Sequence, residues 1–318
     1  DRGREEAPAV AQVLGAGDRR TFQHSRALKQ RAQVEALAGH CCRCLPADCE
    51  VLVELGAGQA IFGRAVSLQK GLPLVAIERR NNTGAFDAAG PGAHRVTADI
   101  ADPAAWPEHG QTAVLGKHVC GHSSDLAVDA ALGLGPRLSL LCLAPCCHAK
   151  LRWGCLCPDI RAWFEEHGVD AECFSLLTDF IRLSRSGSFE GRRPRADWRL
   201  WHHIDQGELD ALARRACRAI DEARLMRLRR AGLEVALVEY CDASVTPDNA
   251  LLLAAPALPS GPGPTRTATV ESVIVELDPT APASLQERLA AYLLEQPERF
   301  PSLRTTVAGG DAHAPALL

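Results

Sequence analysis

The chain has 318 residues, 47% of them hydrophobic and 23% charged, which is ordinary composition for a folded protein with a sizeable core. No run approaches the eighteen or so uninterrupted apolar residues of a membrane helix. The net charge of −4 argues against a surface that coats nucleic acid along its length, but two arginine-rich stretches, residues 182–199 and 214–230, suit RNA binding at one face.

The first residues, DRGREEAPAV, are charged and do not start with Met, so no signal peptide is expected and the chain reads as beginning inside a longer protein. Thirteen cysteines, many within apolar runs, suit a reducing compartment, cytoplasmic or nuclear, better than a disulfide scaffold.

Residues 23–39 place Ala27, Val34 and Leu37 at helical intervals and predict a helix, with CCRCLPADC breaking it before a strand. Short apolar runs then alternate with helical segments. VLVEL (51–55) is followed by GAGQ and a helix through Lys70. LVAIE (74–78) and HRVTADI (94–100) are further strands. TAVLGK (112–117) leads through the loop HVCGHSSD into the helix LAVDAAL, and LSLLCLA (138–144) is followed by PCCH. This alternation predicts an α/β, Rossmann-like, doubly wound and mostly parallel sheet.

Residues 185–206 look like a loop, 207–231 form the clearest helix, LEVALVEYC (233–241) is a late strand, and SVTPDNALLLAA closes the sheet. A Pro/Gly-rich linker follows Ala255, with a strand-like VESVIVEL and an amphipathic SLQERLAAYLLEQ beyond it. The expected organisation is an N-terminal helical segment (1–49), a catalytic domain (50–255), and a linker with a C-terminal extension (256–318).

Open α/β sheets bind ligands beyond the carboxyl ends of their strands. The first strand ends in Glu54, Leu55, Gly56, Ala57 and Gly58, where two glycines permit a tight turn and a close backbone approach. Glu78 ends the second strand about twenty residues after that turn, where a carboxylate can bind ribose hydroxyls. The third glycine of a dinucleotide fingerprint is missing, since Gln59, Ala60 and Ile61 follow Gly58. A nucleoside without a pyrophosphate, S-adenosylmethionine, therefore fits better than NAD. Glu54, Gly56, Gly58, Glu78 and Asp99 are the candidate cofactor residues, with Asp99 placed to accept from the adenine amine.

The fourth and fifth strands end in titratable groups: Lys117, His118 and Cys120 on one, Cys146, Cys147 and His148 on the other. KHVCGHSSDLAVDAAL resembles the KHLCG-x-x-TDL signature of the eukaryotic tRNA 2′-O-methyltransferases that act on nucleotide four of the acceptor stem. APCCHAKLRW is similar to that family's A-x-CCHH-x-C-x-W segment. ACRAIDEARLMRLRRAGLEVALVEYCDASVTPDNALLLA resembles its K-x-x-ID-x-GR…Y…S-x-EN-x-LL ending. The resemblance spans about residues 20–254. The chain departs from the pattern at Ala149, Pro145 and Ala223, and the family's N-terminal zinc-finger segments have no counterpart in these residues.

The resemblance implies methyl transfer from S-adenosylmethionine to a ribose 2′-hydroxyl of tRNA. Lys117 is expected to orient the 2′-oxygen and lower its pKa, or to act as base; His118 is the alternative base, and Asp125 orients either one or caps the following helix. Cys146, Cys147, His148, Asp221 and Arg224 are expected to contact substrate or to organise loops. Cys146, Cys147 and His148 can also be read as buried small side chains or as metal ligands; zinc would need further ligands at suitable spacing, for which Cys155, Cys157, Cys41, Cys42, Cys44 and Cys49 are candidates, and no metal is expected. Two other functions compete: a pyrimidine C5 methyltransferase with a nucleophilic cysteine after Pro145, and a non-catalytic RNA-binding protein on the same fold.

Overall fold

A computed structural model of the chain describes residues 21–80, 92–186 and 206–259. Residues 187–205 of the loop expected at 185–206, and the strand and helix expected beyond residue 259, lie outside the described residues.

Seven strands form one sheet in the order β3-β2-β1-β4-β5-β7-β6, with β1 Val51–Leu55, β2 Leu74–Ile77, β3 His94–Val96, β4 Thr112–Cys120, β5 Leu138–Cys146, β6 Glu234–Glu239 and β7 Ala250–Ala255. Strands β1 to β5 are mutually parallel. Strand β7 runs antiparallel to both β5 and β6, so the sheet is mostly parallel, as expected. That reversed strand sets the order apart from the 3-2-1-4-5-6 sheet of dinucleotide-binding folds.

Side chains alternate across the sheet and feed two cores, one on each face. One face carries Leu52, Ala76, Leu115, Leu140 and Cys142 against helices α1 (Thr21–Cys44) and α2 (Ile61–Lys70). The other carries Val53, Ile77, Val114, Leu141 and Leu252 against α3 (His122–Gly133) and against Leu225 and Leu228. Burial on both faces explains why β5 reads as an unbroken apolar run, with all nine of its residues buried.

Two compact units divide the described chain. The first holds the whole sheet, with residues up to Cys147 and again from Leu225. The second holds residues from His148 to Arg224. It contains α4 (Pro158–Glu166), α5 (Ala171–Ser186) and the larger part of α6 (Gln206–Arg230). Its interior is aromatic: Phe164 and Phe174 meet edge to face with centroids 5.1 Å apart, and Trp153 lies 5.7 Å from Phe174.

Four expectations change. The N-terminal helix is not a separate segment, because Val34, Leu37, Ala38, Cys41 and Cys42 are part of the sheet's core. It runs on through Cys44, so CCRC is its last turn and not a break. The stretch from His148 to Arg224, assigned with the sheet, is a unit of its own. Strand β4 continues to Cys120 and β5 to Cys146, through residues read as loop, because backbone pairing persists beyond a register shift between Lys117 and Val119.

Helix α2 starts without a side chain able to cap it, since Ala60 occupies the cap with φ 51°. The orphan N–H of Gly63 is satisfied from the sheet instead: it donates to Glu54 Oε2 at 2.8 Å. This contact requires glycine at 63, where a Cβ would lie 2.6 Å from that oxygen and 2.8 Å from Leu74 Cδ1. Gly63→Ala is expected to destabilise the protein by about 1–3 kcal/mol despite alanine's better helix propensity, read as a lower denaturation midpoint at unchanged slope.

Candidate active site

The strand order reverses between β1 and β4, and ligands of open α/β sheets settle beyond the carboxyl ends at such a point. Leu55 is paired with Gly116, so the Gly56–Gly58 turn leaves β1 next to Lys117 of β4. Gly56 and Gly58 have φ of 57° and 52°, the left-handed region that glycine adopts without steric cost. A Cβ on Gly58 would meet nothing within 4 Å, so the turn faces open space.

Glu78 is half-buried at the end of β2. Its Oε2 accepts from Gly58 N at 3.0 Å and its Oε1 from Arg80 N at 3.0 Å. Arg95 also donates to the Gly58 carbonyl, which ties β3 to the same turn. Asp99 is exposed and accepts from Ala101 N at 3.0 Å. A carboxylate offers about four acceptor sites, so Glu78 and Asp99 keep capacity for hydroxyl or amine donors. With the bare Gly58 turn, they fit an adenosyl ligand.

Glu54 does a different job from the one expected. It is 3% exposed, its carboxylate holds the start of α2, and burial raises its pKa to about 8, against the Gly63 N–H and the cations Lys117, Arg95 and Arg64. It anchors α2 from within the core, whereas Glu78 and Asp99 keep exposed surface.

Lys117 and His118 form a pair, with Nζ 2.7 Å from Nε2. His118 has φ 65°, and this left-handed residue sits at the register shift where β4 buckles against β5. The buckle turns His118 outward while Val119 returns to the core. Burial lowers the Lys117 pKa, opposed by Glu54 and Cys146. Desolvation, and then the Lys117 ammonium, lower that of His118, opposed by Asp248. The lowered His118 pKa favours a neutral imidazole, whose Nε2 can accept from Lys117 Nζ.

Asp125 belongs to the first turn of α3, which begins at His122 and not at Leu126. It is 1% exposed, with Oδ2 3.7 Å from His122 Nδ1. It is therefore not the helix cap, which Gly121 occupies, and its Oδ2 pairs with His122, not with Lys117 or His118.

Cys146 is buried, with its Sγ 3.3 Å from that of Cys120. The hydrogen bond shared with Cys120, with burial and the neighbouring Cys147, pushes its thiol far above the usual range. Such a thiol is a poor nucleophile, which counts against cysteine-dependent base methylation at this residue. Cys41 and Cys44 do have CxxC spacing, but Cys41 is buried in the core and hydrogen-bonded to Cys142.

His148, Asp221 and Arg224 belong to the second unit and form a buried ionic network there. His148 Nε2 lies 2.8 Å from Asp221 Oδ1, which also accepts from Arg224 Nη1 at 3.0 Å, and none of the three is more than 2% exposed. Burial disfavours the imidazolium, yet Asp221 and Cys217 outweigh it and raise the His148 pKa to about 10. The same pairing holds Asp221 below the ordinary carboxylate range in spite of burial. Of the two expected roles, organising the backbone suits all three, and direct substrate contact does not.

A family model described as Methyltransferase TRM13 matches residues 32–255. The chain belongs to this family. Among curated relatives, the tRNA:m(4)X modification enzyme TRM13 of Yarrowia lipolytica (strain CLIB 122 / E 150) is 26% identical over 162 residues, a match that covers 44% of this chain and 34% of that protein. The chain thus matches about a third of the length of that relative. Similar solved structures include the plantazolicin methyltransferase BpumL in complex with SAH, at 11% identity and a TM-score of 0.39, covering 79% of this chain and 95% of that one. The magnesium protoporphyrin IX methyltransferase (ChlM) from Synechocystis PCC 6803 with bound SAH is likewise 11% identical, with a TM-score of 0.36, covering 78% and 93%.

The family match takes in the sheet and the whole His148–Asp221–Arg224 network. Removing the shared carboxylate takes away the anion between two buried cations, so Asp221→Asn is expected to cost about 3–5 kcal/mol at neutral pH. The raised His148 pKa means that the wild-type contribution is whole below about 6.5 and is lost as pH rises through about 10. The lowered Asp221 pKa means that it is also lost as pH falls through the acid range. Denaturation midpoints measured against pH should show both losses in the wild type and neither in the variant.

Proposed function

We propose that this chain binds S-adenosylmethionine at the β1–β4 switch point and methylates a ribose 2′-hydroxyl in the acceptor stem of tRNA. Membership of a methyltransferase family supports the transfer chemistry, and similarity to a tRNA modification enzyme supports the substrate. The observation that carries the 2′-hydroxyl reading is the Lys117–His118 pair beside the Gly56–Gly58 turn.

When bound, S-adenosylmethionine supplies an electrophilic methyl group on a positively charged sulfur. Glu78 holds ribose hydroxyls and Asp99 the adenine amine. An alcohol attacks well only as its proton leaves, so the protein's task is alignment and proton removal. Lys117 Nζ keeps N–H groups beyond the one given to His118, and these address the 2′-oxygen and stabilise the charge that develops on it. An ammonium has no lone pair, so Nζ takes the hydroxyl proton only as it hands one of its own to His118 Nε2 across the 2.7 Å hydrogen bond. The proton ends on the imidazole, from which solvent removes it.

Lys117→Ala is expected to lower kcat/KM by about 10²–10⁴-fold while leaving the cofactor dissociation constant nearly unchanged. Since His118 must start neutral and its pKa is lowered, kcat should rise with pH through an apparent pKa below 6.5, and His118→Asn should erase that limb. Glu78→Ala is expected to weaken cofactor binding by about 10–100-fold, measured by calorimetry.

A tRNA carrying a single 2′-deoxyribose at the target nucleotide tests the acceptor atom. Loss of methyl incorporation is expected; methylation of that substrate would refute 2′-O transfer and favour a base as acceptor. Failure of the protein to bind S-adenosylmethionine would leave a non-catalytic RNA-binding role.

A further inference from the structure

The carboxyl ends of β4 and β5 carry three thiols that the proposed methyl transfer does not use. Strand pairing aligns Cys120 with Cys146, and Gly121 N donates to the Cys146 carbonyl at 3.1 Å, which locks the two strand ends together. Cys147 follows with φ 58°, a left-handed conformation uncommon for a residue with a side chain. The Sγ atoms of Cys120, Cys146 and Cys147 all lie within 4.8 Å of one another, the closest pair at 3.3 Å. None of the three cysteines is in a disulfide.

We propose that Cys120, Cys146 and Cys147 bind one soft d10 cation, zinc(II) or copper(I), that clamps the ends of β4 and β5. Thiolates sharing a zinc ion at a metal–sulfur distance of about 2.3 Å stand about 3.7 Å apart, within the spread of these three sulfurs. Soft thiolate donors select zinc and copper(I) over hard cations such as magnesium. Cys146 is buried while Cys120 and Cys147 are half-buried, so the group is open to solvent on one side. An ion can enter from there, and a water can complete a zinc site; copper(I) is satisfied by three thiolates.

Charge agrees with this assignment. A zinc ion with three thiolates carries one net negative charge, and Lys117 is close enough to Cys146 for the two to interact electrostatically. Metal binding to thiols releases their protons, so three adjacent cysteines become thiolates together when the cation enters. The site is independent of the methyl-transfer reading, and either can fail without the other.

The test uses the full chain, purified under reducing conditions without chelator. Metal content by plasma mass spectrometry should show zinc or copper bound. After stripping, cobalt(II) as a probe for the zinc site should give thiolate-to-cobalt charge-transfer absorption at one equivalent. Copper(I), supplied anaerobically against a competing chelator, forms the second arm. In the arm that binds, metal should protect Cys120, Cys146 and Cys147 together from alkylation in a peptide map of the wild type, a readout that needs no variant.

Cys120→Ser and Cys147→Ser should each abolish binding, and Cys155→Ser, at an exposed cysteine, should leave it intact. The proposal is overturned if neither metal binds, if neither variant changes binding, or if metal fails to protect these three thiols. Recovery of a Cys120–Cys146 disulfide from metal-free native protein overturns it too, in favour of a redox pair.

Discussion

The hydrogen bonds that hold β1 beside β4, with Leu55 opposite Gly116, are what the candidate site depends on. Chain direction through the sheet reverses there, so the turn after β1 and the strand end of β4 diverge from a common edge and leave space between them. The glycine turn supplies a backbone that a ligand can approach closely, and the buckle in β4 brings Lys117 and His118 up beside it. Both features are backbone devices that exploit left-handed residues at strand ends. The parallel strands behind them are buried on both faces and cannot shift register without exposing apolar side chains.

The same structure separates charges that build the fold from charges available for chemistry. Glu54 sits one residue before the end of β1, yet its carboxylate holds the first turn of α2 because Ala60 cannot. His148, Asp221 and Arg224 are nearly inaccessible and are joined through Asp221 Oδ1. Such groups are costly to bury and harmful to remove singly, so they fix backbone geometry without touching a ligand. Glu78, Asp99, Lys117 and His118 retain exposed surface, and the proposed binding and proton transfer rest on them.

Much of this was legible in the chain. The apolar runs at 51–55, 74–77, 112–117 and 138–144 are strands, because burial on both faces leaves a continuous hydrophobic signature. The late helix, found at Gln206–Arg230, was plain from its three-to-four spacing. Helix Ala171–Ser186 was missed, although Cys173, Leu176, Phe180 and Leu183 recur at that same spacing and are all buried. The extensions of β4 and β5 were read as loops because His118 and Cys120, like Pro145 and Cys146, break the apolar pattern, whereas strand pairing needs only backbone groups.

Sequence alone determined the fold class, the glycine turn, the acid that follows it, and the strand ends on which chemistry-bearing residues gather. These are local properties: hydrophobic period, steric freedom at glycine, and residue type at a given spacing. Tertiary structure decided which acids face outward, that Asp221 neutralises His148 rather than meeting a ligand, and that Cys120 stands against Cys146 across neighbouring strands. Burial and pairing of polar groups depend on residues distant in the chain, Asp221 lying 73 positions from His148, and no local pattern encodes that separation.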